Sequence, residues 1–160
     1  MEKCALVVGA WNVRKLLDRF GIDRPEKRTV LEGKELSRYN VDLTALSATR
    51  LADQGQLTET SCGYTFCWIG RPAHQLRTAG VGYAISNSVP PKLENLQKGI
   101  NERLMTLRIK RKGNHHLTLV SVWAPTLMSD DIKEQFYEYR TCIRSSDILQ
   151  QMTSFRSLEI

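Results

Sequence analysis

The sequence predicts an α/β (α+β) fold built on one mixed β-sheet with flanking helices. Two observations carry this reading. First, Val41-Asp42-Leu43-Thr44-Ala45-Leu46-Ser47-Ala48-Thr49-Arg50 reads as a buried strand that runs into a polar tip. A helical pattern precedes it, and a short apolar strand at residues 5–9 precedes the helix. Strand, helix, strand in that order joins parallel neighbours through a crossover. Second, residues 63–70 with 80–85, and 104–109 with 117–123, read as two antiparallel strand pairs separated by turn-forming residues.

Each element follows from local chemistry. Ala10-Trp11-Asn12-Val13-Arg14 closes the first strand. The Asn12 carboxamide offers a donor and an acceptor, so it fits a ligand or phosphate contact. From local pattern alone it fits better a turn residue that binds its own backbone. Residues 16–28, with Gly21 and Pro25, read as a loop. Residues 29–39 read as a helix with Val30, Leu31, the Lys34 stem and Leu36 on its inner face. Arg28, Glu32, Glu35 and Arg38 take its outer face, and Asn40 caps the C-terminus. Residues 52–59 read as a polar loop. The aromatic-rich strand 63–70 follows, then a basic loop carrying Arg71 and Arg77. In the returning strand, Gly80 and Gly82 allow a bulge or a close backbone approach.

Lys110-Arg111-Lys112-Gly113-Asn114 reverses the chain between the last two strands. Three adjacent cations suit a solvated hairpin tip, or a phosphate contact. Ser129-Asp130-Asp131 starts a helix with an acidic first turn, and Ile132, Phe136, Tyr139 and Ile143 form its apolar stripe. Trp11, Trp68 and Trp123 read as core residues, and Tyr64, Phe66 and Tyr83 as packing residues.

Composition bounds the function classes. The chain has 160 residues, room for one ordinary domain. Its 23 Lys and Arg against 17 Asp and Glu give a formal charge of +6, a bias toward polyanionic partners such as DNA. The cysteines at 4, 62, 67 and 142 form no C-x-x-C pair, so neither a zinc site nor a disulfide framework is indicated. Reduced thiols fit a nuclear or cytoplasmic setting. The N-terminus does not read as a secretion signal, and no apolar run reaches membrane-spanning length.

Four motifs then stand in a familiar order: Gly9-Ala10-Trp11-Asn12-Val13-Arg14, Leu46-Ser47-Ala48-Thr49-Arg50, Gly80-Val81-Gly82-Tyr83 and Ser121-Val122-Trp123-Ala124-Pro125. Together they resemble the first half of the endonuclease/exonuclease/phosphatase (DNase-I-like) family. The likeness is nearest to the craniofacial development protein 2-like and non-LTR retrotransposon endonuclease domains, and it covers roughly residues 5–143. It implies a partial two-sheet sandwich over residues 1–128, followed by a diverging helical tail over 129–160. It also implies Mg²⁺-dependent phosphodiester hydrolysis of DNA, in which the ion holds a phosphate oxygen and steadies the leaving group.

Residue by residue, the resemblance makes Asn12 the family's metal-organising asparagine. The family's principal metal carboxylate, a Glu, falls at position 48, which is Ala48. Its catalytic Tyr falls at Trp123, whose indole donates but cannot accept or ionise. The second-half Asp-x-Asn motif and terminal Asp-His pair have no counterpart in these residues. The resemblance thus implies a truncated, catalytically impaired relative with weak or absent Mg²⁺ binding. Arg50, Arg71, Arg77, Lys110, Arg111 and Lys112 are the candidate DNA contacts.

Three functions remain open on this reading: a nuclease-family domain, a non-catalytic nucleic-acid-binding module, and an interaction fragment. Half a sandwich predicts an uncovered sheet face, with Ile109, Val120, Val122 and Tyr83 exposed, and a raw edge. An oligomer or a protein partner would cover them.

Overall fold

The computed structural model describes residues 5–14, 16, 26–89, 97–110, 115–124, 130–145 and 156–157. The fold is mixed α+β. The first strand, β1 (Val8–Asn12), leads to helix α1 (Glu26–Arg38) and then to β2 (Leu43–Ser47). As the crossover pattern predicts, β1 and β2 are parallel, with Val8 opposite Leu43 and Asn12 opposite Ser47. β1 starts and ends three residues later than the apolar run at 5–9. Trp11 therefore lies inside the strand, and Asn12 is its last residue.

Helix α1 ends as its sequence specifies. Asn40 adopts a left-handed conformation, φ 51°. Its N–H donates to the Ser37 carbonyl at 3.0 Å, and the Val41 N–H donates to the Leu36 carbonyl at 3.1 Å. This is the Schellman pattern, and the apolar pair that accompanies it, Leu36 with Val41, lies in one core cluster. The buried face differs from the sequence reading. Thr29, Gly33 and Leu36 point inward at i, i+4 and i+7, whereas Leu31 is 63% exposed. Chemistry at the contact explains the choice. The Thr29 hydroxyl donates to Glu59 Oε1 at 2.7 Å. A Cβ on Gly33 would lie 2.2 Å from Cys62 Sγ, so only glycine lets the helix sit this close.

The segment read as a polar loop contains a strand, β3 (Gln54–Glu59). It pairs antiparallel with β4 (Tyr64–Ile69), which pairs antiparallel with β5 (Val81–Ser86). The polarity that hid β3 fits its edge position, because its residues alternate between exposed and half-buried. β5 returns against β2, and the sheet order is β3-β4-β5-β2-β1 with the two-residue β9 (Arg156–Ser157) beside β1. A second sheet contains β6 (Gln97–Asn101), β7 (Leu104–Lys110) and β8 (His116–Val122), all antiparallel neighbours. The sequence reading lacks β6. The last helix is α2 (Asp130–Ser145), with Asp130 and Asp131 in its first turn. Phe136 of its stripe is buried and Ile132 is 37% exposed. The side chains of Tyr139 and Ile143, and Ser129, lie outside the described residues.

Alternation along the strands builds three layers. Leu46, Tyr64, Phe66 and Ala84 cluster with Leu36 and Val41 on one side of the first sheet, with Trp11 and Trp68 packed against them. Leu43, Cys67, Val81, Tyr83 and Ile85 cluster on the other side with Met105, Leu107 and Ile109 of the second sheet, and Trp123 packs against that cluster. Tyr83 and Ile109, expected on an uncovered face, are buried, because the three-stranded sheet covers them. The Tyr83 hydroxyl donates to the Met105 carbonyl at 3.0 Å across that seam. Val122 keeps the expected exposure at 43%, and Val120 is half-buried.

One buried group works against this packing. Glu32 Oε2 is buried with no hydrogen-bond partner among the described residues. Burial lifts the Glu32 pKa to about 7; Arg28 opposes the shift and Glu35 adds to it. A raised carboxyl keeps its proton in the folded state after the unfolded chain has lost it. Stability therefore falls as pH rises from 4.5 to about 7, then becomes flat with respect to this group. Glu32→Gln should remove that slope and add about 1 kcal/mol at pH 8, once partial exposure is allowed for. Urea unfolding of both proteins from pH 4.5 to 8 checks it; parallel profiles would show that Glu32 titrates normally.

Candidate functional site

A rim forms where β1 and β2 end. The Val13 N–H donates to the Ser47 carbonyl at 3.1 Å, and the Leu16 N–H to the Thr49 carbonyl at 3.0 Å. The Thr49 N–H donates to the Gly80 carbonyl at 3.1 Å, which ties in the start of β5. From the second sheet, Ser121 Oγ donates to the Leu46 carbonyl at 3.1 Å. The Trp123 N–H then donates to the Arg103 carbonyl at 2.9 Å. The strand ends next to Asn12, Ala48 and Arg50 are thereby tied to one another, and β8, which ends beside Trp123, is tied to β2. Strand ends held in this way are where α/β folds place their ligand contacts.

The rim is backbone-strained. Arg14, Ala48 and Arg50 all adopt positive φ, at 55°, 57° and 55°. Left-handed conformations are costly for residues with a Cβ, and they concentrate at functional sites. Gly80 has φ 142°, and a Cβ there would lie 2.3 Å from Thr49 Oγ1 and 2.9 Å from the Arg50 nitrogen. Glycine at this position allows the loop carrying Ala48, Thr49 and Arg50 to fold back onto β5. The close approach expected of the Gly-Val-Gly stretch is the observed one.

Each sequence-predicted residue has a definite place. Asn12 is exposed, and its Oδ1 accepts the Arg14 N–H at 3.1 Å, so the turn reading of this asparagine holds. Ala48 is 5% exposed and offers only a methyl. Arg50 is exposed at the tip. Trp123 is half-buried beneath the Arg103 guanidinium, which lies 5.1 Å from the centre of its ring, while Arg103 Nη1 donates to the Trp123 carbonyl at 3.4 Å. Arg71 joins the rim through Glu102, 3.6 Å away, and is half-buried. Arg77 is half-buried in the loop before β5. Lys110 is exposed, but at the far end of β7 from Arg103, about 20 Å away along the strand. It is not brought to the rim. Arg111 and Lys112 lie outside the described residues.

Arg14, Glu102 and Arg103 are rim residues that the sequence reading did not single out. Asn12 followed two positions later by Arg14 carried an Asx-turn signal. Glu102 and Arg103 lie in the turn after β6, which went unseen. Burial lowers the Arg103 pKa; Glu102 opposes this, and Arg71 adds to it. Burial also pushes the Tyr83 phenol far up, so it serves as a neutral donor and not as a base.

The Mg²⁺ that the resemblance implies needs hard oxygen ligands. At the rim the position expected to supply the carboxylate is the Ala48 methyl, and the Asn12 oxygen is already engaged. Among the described residues no group of three or more His, Cys, Asp or Glu is arranged to hold a metal ion. The described side chains at the rim do not fit the ion. Among the same residues no helix is long and apolar enough to cross a membrane. No protein-family model matches the sequence, and comparison with curated proteins finds no match.

The close approach at Gly80 gives a direct test of the rim. Gly80→Ala forces a Cβ into Thr49 and a strained φ, and should destabilise the protein by about 2–4 kcal/mol. Thermal or urea unfolding reads the loss. A change below about 0.5 kcal/mol would mean that the loop from Ala48 to Arg50 is held elsewhere.

Proposed function

We propose that this chain carries the first half of an endonuclease/exonuclease/phosphatase-type domain whose rim binds DNA without cleaving it. The observation that carries the reading is the pairing of a buried Ala48 methyl with exposed Arg14 and Arg50 on one strained framework. A cleaving site needs a group to hold the ion or activate water at the strand end. A binding site needs only cations that can meet phosphates, and each phosphate contact releases counterions.

Arg14 and Arg50 are the principal contacts in this reading. Arg71 is drawn partly away by Glu102, and Arg103 is committed to the Trp123 ring. Lys110 stands too far off to share the same phosphate, so it contributes at most to a long footprint. Trp123 serves as the shelf on which Arg103 rests and not as a proton-transfer group. The formal charge of +6 supplies long-range attraction to the duplex.

Binding and cleavage are separable in one experiment. A labelled duplex with an abasic site is titrated with the protein at several salt concentrations, with Mg²⁺ or with EDTA. The expected result is salt-dependent binding of equal strength in both, with no cleaved product. Arg14→Glu with Arg50→Glu should weaken binding at least tenfold and lower the salt slope by about 2. Cleavage that needs Mg²⁺ would overturn the non-catalytic reading. Affinity unchanged by the double charge reversal would remove the rim from the DNA site. Ala48→Glu, assayed beside the wild type, shows whether a carboxylate at position 48 alone restores metal-dependent nicking.

A further inference from the structure

The register of the larger sheet lines up one row of residues along its rim: Asn12 of β1, Ser47 of β2, Val81 of β5 and Ile69 of β4. Arg14, Arg50 and Arg71 each follow that row by two or three residues. The strands leading to Arg14 and Arg50 are neighbours. The strand leading to Arg71 lies two places beyond β2, about 10 Å away. Three arginines therefore stand along one edge, over a length on which a nucleic-acid strand presents several phosphates.

Arg71 has an acid set against it. Glu102 Oε1 lies 3.6 Å from Arg71 Nε. The backbone on each side is fixed by other contacts. The Arg71 carbonyl accepts the Asp53 N–H at 2.9 Å, and Pro72 restricts the Arg71 backbone before it. Glu102 stands between Asn101 and Arg103. Asn101 Oδ1 accepts the Arg103 N–H at 2.8 Å, and the Arg103 guanidinium rests on the Trp123 ring and donates to the Trp123 carbonyl. The Glu102 backbone is thus placed by its own turn and by Trp123, not by the arginine that its carboxylate faces.

The pair is close without being locked. A separation of 3.6 Å lies beyond hydrogen-bond reach. The two side chains are 23% and 31% exposed, so a phosphate can reach Arg71 from solvent. Carboxylates and phosphates use the same face of a guanidinium. A phosphodiester that approaches Arg71 therefore meets a negative charge already seated there.

We infer that Glu102 is a built-in competitor for phosphate, which holds Arg71 out of the DNA contact and so sets the affinity and the salt dependence of the rim. The inference rests on the DNA-binding reading above and names what restrains that same site. The ligand it concerns is the phosphodiester backbone, so the restraint acts on any sequence alike.

Binding of a labelled duplex over a salt series tests it, with wild type, Glu102→Gln, Arg71→Ala and the variant that combines them. Glutamine keeps the size of the side chain and removes its charge. Glu102→Gln should tighten binding about fivefold and steepen the salt slope by about 0.9, the mark of one more phosphate contact. In the Arg71→Ala background the same substitution should gain less than about twofold. Unchanged affinity in Glu102→Gln overturns the inference. So does an equal gain with and without Arg71, which is what the loss of one negative charge from the rim as a whole would give. Either outcome leaves the DNA reading standing as long as Arg14→Glu with Arg50→Glu still weakens binding. A wild type that binds no duplex removes the DNA reading and this inference with it.

Discussion

The packing of β5 against the three-stranded sheet is the constraint on which the rest depends. Val81, Tyr83 and Ile85 project from one face of β5 into Met105, Leu107 and Ile109, and the Tyr83 hydroxyl reaches the Met105 carbonyl at 3.0 Å. A buried phenol without a partner would be costly, so this bond fixes the position of one sheet over the other. Once that position is set, Ser121 meets the Leu46 carbonyl, and the end of β8 lies over the end of β2. The rim joins bonds among the strand ends of the larger sheet to one bond from the second sheet, Ser121 Oγ to the Leu46 carbonyl. Through that bond the strand ends beside Ala48 and Trp123, 75 positions apart in the sequence, are tied together.

Much of the fold was legible in the sequence. The parallel pair follows from the order strand, helix, strand, and the hairpin and the last strand pair follow from apolar runs bounded by turn residues. Asn40 as the helix cap follows from its tolerance of left-handed backbone. The misses share a physical reason: partners decided them. β3 is polar because it is an edge, so its pattern resembled a loop. The inner face of α1 is chosen by Glu59 and Cys62, which lie far along the chain, and those contacts favour Thr29 and Gly33 over the more apolar Leu31. The expected uncovered face around Tyr83 and Ile109 was an estimate of how much surface half a sandwich can bury. The second sheet, with an unforeseen third strand, buries both residues.

The site was legible as a set of strand ends and less so as a set of side chains. The resemblance pointed to Asn12, Ala48, Arg50 and Trp123, and the bonds beside them tie their strand ends together. What each one faces could not be read from its neighbours in the chain. Arg103 covers Trp123, Glu102 holds Arg71, and Asn12 turns to the Arg14 N–H. Lys110 carries the right charge in the wrong place, because a seven-residue strand separates the two ends of β7. Strain is the least legible feature: positive φ at Ala48 and Arg50 accompanies the loop's closure onto Gly80, and positive φ at Arg14 accompanies its turn with Asn12.

We propose that the rim meets DNA through arginines, with no part played by a metal ion. An amide NMR titration of the protein with a short duplex, run once with Mg²⁺ and once with EDTA, tests it most directly. The account predicts shifts concentrated at Arg14, Thr49, Arg50 and Gly80 that are the same in both series. Shifts that require Mg²⁺, or that gather around Lys110 while the rim stays silent, would contradict it.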